Sequence, residues 1–188
     1  MESKTGLYNR TLAMRDELSN EFVESASDGI QRKVMLMEEF RTAKRVGLYS
    51  PYKNEVRTEK IFENGDRNRK QLYYPAIDPE EGMIAYFRVM EMSELKPDEA
   101  GFRQPNQKKS RVRDIDNMEM LIVPAVVVDL SGCRLGFGKG FYDTCLDEFR
   151  GFRVALVYDD QVVSDLPIKS GPRRLDWIVT EKRIIKCN

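Results

Sequence analysis

The stretch that most constrains this chain is Val123-Pro124-Ala125-Val126-Val127-Val128-Asp129, followed by Arg134-Leu135-Gly136-Phe137-Gly138-Lys139-Gly140-Phe141-Tyr142-Asp143. It predicts a buried strand that stops at Pro124, a loop in which three glycines alternate with Phe137 and Lys139, and a helix carrying Tyr142, Leu146 and Phe149 on one side. Glycine at alternate positions removes the β-carbons that would hold a polyanion away from the backbone. Amides and a helix N-terminus can then approach phosphate oxygens while Lys139 supplies a full positive charge. Two readings stay open: a phosphate loop, or a tight turn whose glycines supply only left-handed backbone and whose lysine faces water. Lys139 within the loop and Arg134 just upstream favour phosphate.

The chain contains no histidine, which removes the usual general base, the Ser-His and Cys-His nucleophile systems and histidine metal sites. Any chemistry must use carboxylates, lysine, arginine, tyrosine or a bound metal. Lysine plus arginine number 31, equal to aspartate plus glutamate, so no basic excess points to nucleic acid. The absence of a long apolar run excludes a transmembrane helix, and residues 1 to 20 lack the apolar centre of a signal peptide, so the expectation is a soluble, cytoplasmic protein. Cys133, Cys145 and Cys187 lack paired metal-ligand spacing and read as reduced thiols. With 188 residues the chain suits one domain, residues 1–188.

From the start, residues 3 to 41 hold no proline and carry apolar residues at helical spacing: Leu7, Leu12, Met14 and Leu18, then Phe22, Ile30, Val34, Met37 and Phe40. Two helices are expected, separated at an N-cap by Ser19. Lys4, Arg10 and Arg15 read as a solvated face of the first. Arg45 to Pro51 is a short strand closed by proline, and Thr58 is the expected N-cap of a helix through Ile61 and Phe62. Ligands of open α/β sheets bind beyond the carboxyl ends of strands, where Ser50, Tyr52 and Glu55 fall; Glu55 is either a pocket carboxylate or a surface one.

Gln71 to Pro75 repeats the strand ended by proline, Gly82 supplies a turn, and Met83 to Val89 is a second strand. Residues 95 to 118 read as a long ordered loop, whose Phe102 either covers a ligand or packs onto the body. Phe152 to Tyr158, Leu175 to Thr180 and a last segment through Ile184 and Ile185 complete the strands. Helical and strand patterns alternate without internal repeats, predicting one α/β domain with a largely parallel sheet covered on both faces.

Taken together, several stretches resemble the 5-formyltetrahydrofolate cyclo-ligase family, also called 5,10-methenyltetrahydrofolate synthetase. They are Lys4-x-x-Leu7 with Arg15, Tyr49-Ser50-Pro51, Asn54-Glu55-Val56-x-Thr58, Tyr74-Pro75, Gly101-Phe102-x-Gln104-Pro105, Val123-Pro124, the Arg134–Asp143 element, and Leu175-Asp176-x-Ile178-Val179-Thr180-Glu181. The resemblance implies a three-layer α/β/α sandwich and a monomer that meets neither nucleic acid nor membrane. The implied reaction is ATP- and Mg2+-dependent closure of a small-molecule folate, 5-formyltetrahydrofolate, to 5,10-methenyltetrahydrofolate. It would proceed by phosphorylation of the formyl oxygen and release ADP and phosphate.

By position, the resemblance implies that Lys4, Tyr8, Arg134, Gly136, Phe137, Gly138, Lys139, Gly140, Phe141 and Tyr142 hold ATP, and that Asp143 holds the metal. Ser50, Glu55, Phe137, Gly140 and Phe141 would meet the folate, with Glu55 and Lys139 as the catalytic groups. Two positions depart from the family pattern. Tyr8 stands where an arginine is frequent, and Gly171-Pro172 stands where a second acidic metal ligand is typical, leaving Asp176 or water to complete the metal's shell. A folate- or nucleotide-binding protein without turnover, and a ligase acting on another small acceptor, are the alternative readings.

Overall fold

Met120-Leu121-Ile122-Val123 is apolar at every position, and a strand of that character must be covered on both faces. The computed structural model of the chain, which describes residues 3–77, 84–105, 111–112, 115–137, 141–168 and 174–187, meets that demand with a central sheet between helices. In chain order the first elements are α1 (Lys4–Asp16), α2 (Asn20–Leu36), α3 (Glu38–Thr42), β1 (Arg45–Gly47), α4 (Glu59–Arg67), β2 (Gln71–Ile77) and β3 (Ile84–Arg88). Next come β4 (Lys96–Pro97), β5 (Arg103–Gln104), β6 (Arg111–Val112), β7 (Met120–Pro124), β8 (Val127–Asp129) and β9 (Arg134–Leu135). The last are α5 (Phe141–Glu148), β10 (Phe152–Leu156), β11 (Val162–Val163), β12 (Trp177–Val179) and β13 (Ile184–Lys186).

The large sheet has the order β13-β12-β10-β7-β1-β2-β3-β6. Its centre, from β12 to β2, is parallel, and β13, β3 and β6 add antiparallel edges. Because successive side chains of a strand point to opposite faces, β7 divides its apolar residues between two cores. Met120 and Ile122 pack with Val23, Ile30 and Val34 of α2, Phe40 of α3 and Ile61 of α4. Leu121 and Val123 pack with Leu146 and Phe149 of α5. These are the three layers and the largely parallel sheet expected above. No helix among the described residues is long and apolar enough to cross a membrane.

Several local expectations are corrected. The first 41 residues make three helices: Met37 is extended, with φ −65° and ψ 140°, so it ends α2 and opens α3. Ser19 does cap α2, its Oγ accepting from the Phe22 amide at 3.2 Å. Thr58 precedes α4 as expected, yet its hydroxyl donates to the Tyr49 carbonyl at 2.9 Å. The orphan amides of Lys60 and Ile61 are satisfied instead by Gln31 Oε1 of α2, at 2.9 and 3.3 Å. Pro75 does not end β2, because β1 accompanies β2 only as far as Tyr73 and no neighbour there requires the missing N–H. Residues 95 to 118 contain the hairpin β4–β5 and the edge strand β6. Gly82 lies outside the described residues.

Pro124 ends the central strand, but the glycine loop does not follow directly. A second sheet of order β11-β8-β9 intervenes, and Leu7 of α1 packs against its Val127 and Leu135. The β8–β9 turn is held by Asp129, whose Oδ1 accepts from the amides of Ser131 and Cys133, each at 2.9 Å. Gly132 in this turn has φ +87°, and a β-carbon there would lie 2.5 Å from the Leu175 carbonyl oxygen. Gly132→Ala therefore combines left-handed strain with a clash against backbone that cannot rotate away. Urea unfolding should read a loss of about 2–4 kcal/mol.

Candidate functional site

Parallel strands open their carboxyl ends on one edge of the sheet, and the candidate residues lie on segments leaving that edge. The chain leaves β1 through Leu48, whose amide donates to the Tyr73 carbonyl at 2.8 Å, and runs through half-buried Ser50 into a tight loop. Tyr49 secures that loop: its hydroxyl donates to the Val56 carbonyl at 2.7 Å. Burial raises the Tyr49 phenol well above its ordinary value, with the nearby Glu55 carboxylate adding to the effect, so the hydroxyl stays a neutral donor.

Glu55 is 5% exposed, a rare setting for a carboxylate. Its Oε2 accepts the Tyr52 amide at 2.9 Å, and its Oε1 stands 3.6 Å from Nη1 of Arg15. Burial pushes its pKa up to about 7, against the opposing pull of the Arg15 guanidinium and the Tyr52 amide. Glu55 is thus poised to exchange a proton near neutrality, work that a chain without histidine must assign to another group. The surface alternative for Glu55 is excluded by its burial.

Arg15 corrects the expectation of a solvated helix face. Lys4 and Arg10 are exposed, but Arg15 is 1% exposed and directed inward with Leu7 and Thr11. The signal was present in the spacing, since residues 7, 11 and 15 share one side of a helix. Tyr8 is half-buried and packs beside Leu7 against the small sheet.

The second half of the site leaves β9. The Arg134 side chain is buried, with Nη2 3.5 Å from Asp143 Oδ1 and the guanidinium carbon 5.4 Å from the centre of the Tyr142 ring. Among the described residues its Nε and Nη1 have no acceptor. Burial lowers its pKa and Asp143 opposes that shift. A β-carbon on Gly136 would lie 2.8 Å from Arg134 Nη2, so glycine is what leaves the guanidinium its place. Unsatisfied buried donors beside a β-carbon-free backbone suit an anionic ligand such as a phosphate chain.

Phe137 joins the two halves. Its ring is 38% exposed, lies 5.1 Å from the Arg15 guanidinium and meets the Tyr52 ring edge-on at 6.2 Å. Tyr52 in turn stacks on Phe102 at 4.1 Å, so Phe102 of the β4–β5 hairpin packs at the rim of the site. Gly138, Lys139 and Gly140 lie outside the described residues, as does the side chain of Phe141.

Asp143 stands in the first turn of α5, where the helix dipole favours a carboxylate, and it is partly open to solvent. Among the described residues no group of three His, Cys, Asp or Glu side chains could hold a metal. The donor set at Asp143 suits Mg2+, which takes few protein ligands and keeps phosphate and water. Asp176 does not complete it. Its Oδ2 accepts the Arg153 amide at 2.7 Å, where β10 and β12 begin, at the end of the sheet away from the loops. Gly171 and Pro172 are outside the described residues. Cys133, Cys145 and Cys187 are free thiols, and burial pushes Cys145 up to about 12, which keeps it protonated and unreactive.

The family model described as the 5-formyltetrahydrofolate cyclo-ligase family matches residues 1–181. A probable 5-formyltetrahydrofolate cyclo-ligase of Schizosaccharomyces pombe is 27% identical over 186 residues, covering 90% of this chain and 91% of that protein. The 5-formyltetrahydrofolate cyclo-ligase of Haemophilus influenzae is 27% identical over 146 residues, 76% of this chain and 78% of its own. The NMR structure of Aquifex aeolicus 5,10-methenyltetrahydrofolate synthetase superimposes with a TM-score of 0.85 at 32% identity, covering 97% of this chain and 92% of that one. The 5,10-methenyltetrahydrofolate synthetase of Mycoplasma pneumoniae, at 22% identity and a TM-score of 0.75 over 96% of this chain and 99% of its own, shares the fold. A match that runs from the first residue through the last parallel strand takes in both halves of the site, and this chain belongs to the 5-formyltetrahydrofolate cyclo-ligase family of enzymes.

Proposed function

We propose that the protein closes 5-formyltetrahydrofolate to 5,10-methenyltetrahydrofolate at the expense of ATP, releasing ADP and phosphate. The observation that supports this most is a buried carboxylate with a pKa near neutrality, Glu55, linked through Arg15 and Phe137 to the segment that carries Arg134 and Gly136. A formamide oxygen is a poor leaving group. Bound ATP supplies the phosphoryl group that makes it a good one, and Mg2+ spreads the charge of the transfer.

The remaining work falls to the chain. Lys4 and Tyr8 meet the nucleotide from α1, while Arg134 and the backbone from Gly136 to Tyr142 cradle its phosphates. Lys139 neutralises the migrating group, and Asp143 holds the metal. Ser50, Phe137, Gly140 and Phe141 border the folate. Glu55 orients N10 toward the formyl carbon. As the N10–carbon bond forms and the carbon–oxygen bond breaks, the oxygen departs with phosphate and the N10 proton passes to the Glu55 carboxylate.

Mixing the protein with 5-formyltetrahydrofolate and ATP while titrating magnesium should give magnesium-dependent growth of the methenyltetrahydrofolate absorbance. Lys139→Ala should slow it by about 100-fold or more. Absence of product at any magnesium concentration, from protein that still binds folate and ATP, would overturn the reading.

Glu55 also predicts a pH dependence whose direction follows from its raised pKa. As acceptor it acts ionised, so kcat/KM should rise with pH through about 7. Glu55→Gln should abolish that limb and lower kcat by about 100-fold or more. Stability moves the opposite way. The folded chain retains a proton on Glu55 that the unfolded chain releases near its ordinary value of 4.5, so stability falls as pH rises from that value through about 7. Urea unfolding should show a loss of about 3 kcal/mol over that interval in the parent, missing in Glu55→Gln.

A further inference from the structure

Arg15 has so far been given no role in the chemistry beyond linking Glu55 to Phe137, yet its setting demands an explanation. Burying a guanidinium costs several kcal/mol unless its donors are met, and a hydrophobic residue of similar volume would fill a merely structural place at no such cost. Arg15 is 1% exposed, and among the described residues its nearest carboxylate oxygen is 3.6 Å away and its Nε and Nη2 have no acceptor.

What the side chain touches is telling. On one side stands Glu55 and on another, 5.1 Å away, the ring of Phe137. The Arg15 carbonyl accepts from Asn54 Nδ2 at 3.0 Å, and the same amide donates to the carbonyls of Asp16 and Leu18, so the loop bearing Glu55 caps the end of α1. Three segments of the site meet at this residue. Among the described residues, the other groups facing Glu55 are Arg57 and the Tyr52 amide from its own loop, Tyr49 from the segment after β1, and Tyr142 from α5. Of these only Arg57 is cationic, and its guanidinium is engaged by Glu24 at 3.3 Å and by the Lys53 carbonyl at 2.7 Å.

We infer that Arg15 is a positioning residue of the ring closure: its guanidinium holds the Glu55 carboxylate and the Phe137 ring in one arrangement, so that the proton acceptor and the phosphate loop are assembled together. The inference rests on the proposed role of Glu55, and Arg15 itself touches no reacting atom.

The test reads Glu55 directly. In the full chain labelled with carbon-13 at the glutamate carboxyls, the Glu55 resonance, assigned by its loss in Glu55→Gln, is titrated in the parent, Arg15→Gln and Arg15→Lys. Removing an opposite charge at this distance should lift the Glu55 midpoint in Arg15→Gln by about one pH unit or more. The acid limb of kcat/KM should move up with it, and kcat should fall by about tenfold or more. The double variant Arg15→Gln/Glu55→Gln should be no slower than Glu55→Gln alone, since the two act as a unit.

Arg15→Lys keeps the charge without the flat fork and the ring stacking, so its Glu55 midpoint should stay near the parent's while kcat falls by about tenfold. That variant decides the matter if Arg15→Gln does not fold. An unchanged Glu55 midpoint in Arg15→Gln, or a parental kcat in Arg15→Lys, would overturn the inference. A parent whose Glu55→Gln variant turns over normally would overturn the role of Glu55 instead, and the carbon-13 titration tells the two failures apart.

Discussion

Parallel pairing of β1 with β7, and of β7 with β10, is the constraint on which the site depends. Parallel neighbours put their carboxyl ends on one edge, so the loop bearing Glu55 and the path toward Arg134 both leave the sheet on the same side. The pairing is available because β7 is apolar throughout and can be buried between two helical layers. In an antiparallel arrangement these two segments would emerge at opposite ends and Phe137 would never meet Arg15.

The same three-part arrangement occurs twice at this edge. Arg15 sits beside the Glu55 carboxylate and the Phe137 ring, and Arg134 beside the Asp143 carboxylate and the Tyr142 ring. In each, a buried cation is only partly compensated among the described residues, at 3.6 and 3.5 Å from its partner, with further donors left without acceptors there. A fold optimised for stability alone would not retain two such sites. The cost becomes intelligible where charge develops during a reaction, because a low-dielectric setting strengthens each interaction with a bound anion or a moving proton.

Much of this was legible in the residues. The apolar runs of β7 and β10, Ser19 ahead of α2 and Pro124 as a stop are local signals, and local physics settled them. The expectations that failed had a different origin. Pro75 continues β2 because its neighbour strand is short, a fact about β1; Thr58 does stand at the N-cap of α4, but its hydroxyl bonds Tyr49 while Gln31 of another helix meets the amides. Asp176 is held by the Arg153 backbone at the far end of the sheet, which spacing along the chain cannot reveal.

By itself the sequence determined the class of fold, a glycine-bearing segment between the small sheet and α5, and the restriction of acid–base chemistry to groups other than histidine. These follow from composition, periodicity and backbone freedom, properties that each residue carries with it. Only the tertiary structure decided that Glu55 titrates near neutrality, that Arg15 is buried beside it, and that Phe137 spans the two halves of the site. Those outcomes depend on which surfaces exclude water and which charges are brought within a few ångströms, and both are set by segments distant in the chain.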